Sequence, residues 1–104
     1  MNTVLMVDDN MTNLVLVRQL VRRVEECETL AFTDPASALE ALRETDVDLI
    51  LVDYVMPEID GVEFVRRTRR MSRHATVPVV MVTTNDEREV VLQALEAGAT
   101  DFLT

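Results

Sequence analysis

The 104-residue sequence predicts a single doubly wound α/β domain, and three observations carry that prediction. Short apolar runs alternate along the chain with segments of 3- and 4-residue apolar spacing, and no linker, repeat or low-complexity stretch interrupts them. Three of the runs are apolar at every position: Val4-Leu5-Met6-Val7, Leu49-Ile50-Leu51-Val52 and Val79-Val80-Met81-Val82. Such strands belong to a parallel sheet covered by helices on both faces, because a sheet with one wet face would alternate. Each of these runs then meets acid or hydroxyl residues: Asp8-Asp9, Asp53 and Thr83-Thr84. In open parallel sheets ligands bind beyond the carboxyl ends of the strands, where the strand order reverses. The pattern that predicts the fold therefore also predicts a site.

The first strand covers about Thr3 to Val7. A helix follows from about Thr12 to Val24, because Leu14, Val17, Val21 and Val24 recur at helical spacing as a buried stripe, with Asn10 or Thr12 as its cap. A second strand lies near Glu28 to Phe32, and Asp34-Pro35 then gives an N-cap followed by proline at the first helical position. The helix from Pro35 to about Arg43 turns Ala38, Leu39 and Leu42 inward. The third strand is Leu49 to Val52, the loop from Asp53 to Asp60 contains Met56-Pro57, and a third helix runs from Gly61 to about Met71. After the fourth strand, Asn85 or Asp86 caps a helix that reaches Ala97 and ends at Gly98. Thr100 to Leu103 forms the fifth strand.

Composition narrows the function. Hydrophobic residues make up 48% of the chain and aromatics only 4%, so the core is aliphatic. A formal charge of −9 argues against nucleic acid or an anionic membrane surface as a direct partner, since both demand a basic face. No apolar run approaches the roughly 18 residues of a membrane span. The single cysteine, Cys27, cannot form an internal disulfide, which together with the absence of a charged-then-apolar leader points to the cytoplasm. All ten basic residues are arginines. Arg66, Arg67, Arg69, Arg70 and Arg73 cluster on and beside the third helix, either as a partner patch or, more ordinarily, as a solvated face. His74 reads as a surface residue, with no second histidine to form a metal pair.

Asp8, Asp9 and Asp53 dominate the chemistry. Each taken alone is an ordinary turn or cap residue. Delivered together to one crevice, they repel and raise one another's pKa unless a cation sits among them. A hard divalent ion that prefers oxygen ligands meets that demand, and magnesium meets it best.

At this point the sequence resembles a known family. Val7-Asp8-Asp9-Asn10 after the first strand, Leu51-Val52-Asp53 through Met56-Pro57 to Asp60-Gly61 after the third, Val82-Thr83 after the fourth, and Ala97-Gly98-Ala99-Thr100-Asp101-Phe102 resemble the receiver domain of two-component response regulators. The motifs span the chain in family order and spacing. The resemblance implies a five-stranded parallel sheet in the flavodoxin-like order 2-1-3-4-5. It implies that Asp53 accepts a phosphoryl group from a histidine kinase or phosphotransfer protein. Asp8, Asp9 and Asp53 would hold magnesium with the backbone carbonyl of Val55. Thr83 would bond a phosphoryl oxygen, and Phe102 matches the aromatic position that moves with it.

Two departures accompany the resemblance. The family places a lysine just after the fifth strand, whereas this sequence stops at Thr104 and contains no lysine, and the family's fifth helix is absent. The near-complete register up to that point leads us to expect a sequence cut after the fifth strand. Alternative readings are an interaction module without phosphotransfer and an aspartyl-phosphate phosphatase. Haloacid-dehalogenase-like phosphatases carry a second aspartate two residues after the nucleophile, where this chain has Val55. If the missing helix would cover roughly 400 Å² of apolar surface, its absence forgoes about 10 kcal/mol at 25 cal/mol per Å². Self-association through the fifth strand and the open face is the expected response.

Overall fold

The computed structural model describes residues 2–24, 26–56, 58–82 and 88–103. Five strands, β1 (Asn2–Val7), β2 (Cys27–Phe32), β3 (Leu49–Val52), β4 (Val79–Val82) and β5 (Asp101–Leu103), alternate with α1 (Met11–Val24), α2 (Pro35–Glu44), α3 (Gly61–Arg70) and α4 (Arg88–Ala97). A single 3-10 turn at Ser72–His74 follows α3. All strand pairs are parallel and the order is β2-β1-β3-β4-β5, as expected.

The helices begin where side chains satisfy their free N–H groups. Asn10 Oδ1 accepts from Thr12 N at 2.9 Å and Asn13 N at 3.2 Å, so Asn10 is the cap of α1. Asp34 caps α2 through Ala36 N and Ser37 N, with Pro35 as the first helical residue. Asp60 caps α3 through Glu63 N at 2.9 Å. Gly98, at φ +117°, closes α4 in a conformation that favours glycine. The expected caps Asn85 and Asp86 lie outside the described residues.

Strand alternation divides the core. Leu5 and Val7 of β1, Ile50 and Val52 of β3, and Val79 and Met81 of β4 pack against Leu39 and Leu42 of α2, Phe64 and Val65 of α3 and Ala94 of α4. On the opposite face, Val4 and Met6 bury themselves against Leu14 of α1, with Val17, Val21, Leu49 and Leu51 packed around them. That second face corrects one expectation. β3 and β4 alternate buried with half-buried residues instead of being covered on both sides, because α1 is the one described helix over that face.

The expectation for His74 fails. Its side chain is only 1% exposed, and Nε2 lies 2.8 Å from Leu42 O and 3.1 Å from Thr45 O. Both neighbours are carbonyls, so Nε2 carries the proton and donates. His74 thus fastens the end of α2 to the segment after α3.

Candidate metal centre

The strand order reverses between β1 and β3, parallel neighbours whose last residues, Val7 and Val52, stand side by side in register. Asp53 continues the ladder for one more bond, its N–H donating to Val7 O at 3.1 Å. Asp8 N donates to Phe32 O at 3.1 Å, fixing the first acidic residue over the β1–β2 pair. Backbone pairing therefore fixes the main chain of both residues at the strand ends. Asp9 follows into solvent. One carboxylate oxygen from each of Asp8, Asp9 and Asp53 lies within 4.8 Å of the others, the only such group of acids, cysteines or histidines among the described residues.

Asp8 is the most constrained member. Its Oδ1 accepts from Asn10 N at 2.9 Å and its Oδ2 from Asn13 Nδ2 at 3.2 Å. Burial pushes the Asp8 carboxyl above its ordinary value of 3.8, and the charge of Asp9 adds to that, against the lowering effect of the bonds from Asn10 and Asn13. The donor set fits a hard divalent cation. Three half-buried or exposed carboxylates bring their charges together, and ligands opposite each other on magnesium stand about 4 Å apart.

Because the folded Asp8 carboxyl holds its proton to a higher pH than an unfolded one, its ionisation costs folding stability, lost as pH rises from about 3.8 through the raised value. Metal-free Asp8→Asn is therefore expected to melt at higher temperature than the parent at neutral pH and at the same temperature once both are protonated at low pH. Calorimetric melts at the two pH values check this.

The loop after β3 is shaped by close approach. Gly61 N donates to Tyr54 O at 2.8 Å, and a Cβ at Gly61 would stand 2.4 Å from Asp53 O. Glu58 occupies the left-handed region at φ 66°, which favours glycine. Glu58→Gly is expected to stabilise the chain by about 1 kcal/mol through relief of that strain, read from urea melts. Val55 is 60% exposed beside the carboxylates. Phe102 sits opposite Met81 in the β4–β5 ladder and is half-buried against the main core, well placed for packing. Thr83 lies outside the described residues. Sequence reasoning missed Asn13, whose only signal is its place in the first turn of the helix that follows the acidic pair.

Comparison with known proteins decides the family. The response regulator receiver domain family matches residues 4–104. The chain belongs to this family. The receiver is 38% identical over 101 residues to the cyclic di-GMP phosphodiesterase response regulator RpfG of Xanthomonas campestris, covering 96% of this chain and 27% of that protein. It spans little more than a quarter of the curated relatives it matches. Among solved structures, it is similar to the chemotaxis response regulator CheY4 of Vibrio cholerae, at 30% identity and TM-score 0.92 over 100% of this chain and 86% of that one. The receiver domain of the sensor histidine kinase PA1611 of Pseudomonas aeruginosa, with magnesium coordinated in its active-site cleft, superposes at TM-score 0.89 with 25% identity over 99% of this chain and 84% of that one. No described helix of the receiver is long and apolar enough to cross a membrane.

Proposed function

We propose that this receiver is a magnesium-dependent switch that takes a phosphoryl group on Asp53, and the convergence of Asp8, Asp9 and Asp53 at the β1–β3 reversal carries the reading. A carboxylate oxygen of Asp53 attacks phosphorus, the bond from phosphorus to the donor's leaving atom breaks, and the donor departs with that electron pair, leaving an acyl phosphate. Asp8, Asp9, Asp53 and the carbonyl of Val55 would hold the ion, which when bound offsets the charge that separates an anionic nucleophile from an anionic donor. Thr83 would bond a phosphoryl oxygen, and Phe102 would couple the site to β5. Exposed Met11 and Val15 at the start of α1, beside the acidic pair, suit contact with a histidine kinase or phosphotransfer protein in the cytoplasm.

The phosphatase alternative needs an acid two residues beyond the nucleophile, and Val55 supplies none. A time course with a small phosphodonor and magnesium is expected to give slow modification that stops at one phosphoryl group per chain. Continuous release of phosphate would favour the phosphatase, and no modification with or without metal would favour the interaction module. Calorimetric magnesium titration is expected to show weaker binding for Asp9→Ala and Asp53→Asn than for the parent; equal affinities would remove the assignment. Valine also cannot orient an attacking water, so Val55→Asn is expected to shorten the acyl phosphate lifetime severalfold.

Self-association is part of the same reading. Leu103 of β5 is exposed, half-buried Val80 and Val82 share its face of the sheet, and Leu16 and Leu20 stand exposed on α1. A second copy would cover this apolar surface. Light scattering across a concentration series is expected to show dimer growth, and a monomer at every concentration would contradict it.

A further inference from the structure

The arginines of α3 are not one uniform solvated face. Arg69 is a structural tie, its guanidinium donating to the carbonyls of Gly98 at 2.9 Å, His74 at 3.1 Å and Val77 at 2.6 Å. Arg67 and Arg66 share Glu63, at 2.9 and 3.7 Å, and Arg73 pairs with Asp46 at 3.0 Å. Arg43 of α2 and Arg70 of α3 make no hydrogen bond or ion pair within contact distance among the described residues, although the charge of Arg70 helps to hold the Glu63 carboxyl below its ordinary value. These two face one groove of about 430 Å³ between α2 and α3, lined also by Leu39, Met71, Arg67 and Glu63. The groove thus carries three guanidinium groups and one carboxylate over apolar side chains, a local excess of positive charge on a chain whose formal charge is −9.

We propose that this groove is a docking site for an acidic protein segment, in which two carboxylates flank an aliphatic or aromatic side chain. Planar guanidinium groups grip carboxylates through paired N–H donors, and Arg43 and Arg70 keep those donors available on opposite walls. The apolar side chain would lie against Leu39 and Met71. That apolar contribution favours a peptide over a free anion, which gains nothing from Leu39 and Met71. The groove is built from α2 and α3, whereas the metal centre is built on the ends of β1 and β3, so occupancy of one leaves the other open.

The test is a titration of the isotopically labelled chain with a synthetic peptide of alternating aspartate or glutamate and leucine or phenylalanine, followed through the arginine Nε–H resonances. The expected result is saturable shifts at Arg43 and Arg70, an affinity that falls with added salt, and at least about tenfold weaker binding in Arg43→Gln/Arg70→Gln. A peptide with serine in place of its apolar residues should bind several times more weakly. Both arginines are surface residues whose replacement leaves the core intact, and unchanged magnesium affinity in the double variant confirms an intact fold. Absence of shifts at Arg43 and Arg70 would overturn the proposal. So would equal shifts with inorganic phosphate at the same concentration, which would mark a simple anion site, or undiminished peptide binding by the double variant.

Discussion

Gly61→Ala is expected to disable the metal centre while leaving most of the sheet in place. The added Cβ would stand 2.4 Å from Asp53 O, 2.9 Å from Tyr54 Cα and 3.0 Å from Met81 Cε. The methionine tip can move aside, but two of these contacts are backbone. The chain from Asp53 to Tyr54 must therefore shift away from α3, and the short bond from Gly61 N to Tyr54 O, 2.8 Å, must lengthen. Overpacking of this sort costs about 1–3 kcal/mol of stability. The functional cost falls on Asp53, whose carboxylate rides on the displaced peptide. Disturbing the support of a metal ligand weakens binding about 10–100-fold. Magnesium titration at a temperature where the variant remains folded separates the two effects, and parental affinity would show that the close approach does not position Asp53.

The second large effect is on stability alone. His74→Ala removes a buried ring and leaves Leu42 O and Thr45 O without the donor they now share. A cavity and an unpaired buried carbonyl at Leu42 together cost about 2–5 kcal/mol, while the part-buried Thr45 O can turn to water. Against the roughly 5–15 kcal/mol of an ordinary domain, that is a large fraction. His74→Phe restores most of the volume without the donor and is expected to recover part of the loss, the remainder measuring the hydrogen bonds. Urea denaturation of the three proteins gives the comparison; a parental midpoint for His74→Ala would mean that the ring contributes nothing.

His74 also shows where sequence reasoning stops. A single histidine in the polar stretch Met71-Ser72-Arg73-His74 carries no periodicity, and only the turn after α3 swings its ring beneath the end of α2. Arg69 escaped for the same reason, since its three carbonyl partners lie 5 to 29 residues away in sequence. Long-range side-chain to backbone bonds leave no local pattern. The strands and helices, by contrast, were legible because apolar runs, caps and the glycine after α4 are local signals, and the observed bounds differ from expectation by a single residue at β1, α1, β2, α2, α3 and β5. The acidic triad was legible because parallel topology turns strand-end positions into neighbours. Asn13 was not, because an asparagine in the first turn of a helix has several ordinary uses, and only the 3.2 Å contact with Asp8 distinguishes this one.

Phosphoryl transfer to Asp53 is the claim on which the functional account rests. Its most direct test is exposure of the chain to a small phosphodonor, with intact mass recorded with magnesium and with chelator, followed by reductive trapping of the acyl phosphate and peptide mapping. One added phosphoryl group per chain is expected in the presence of magnesium, mapped to Asp53 and absent both from Asp53→Asn and from the chelated sample. A label that maps elsewhere, persists in Asp53→Asn or forms equally well without divalent metal would contradict it, and so would a parent chain that takes up no phosphoryl group at all.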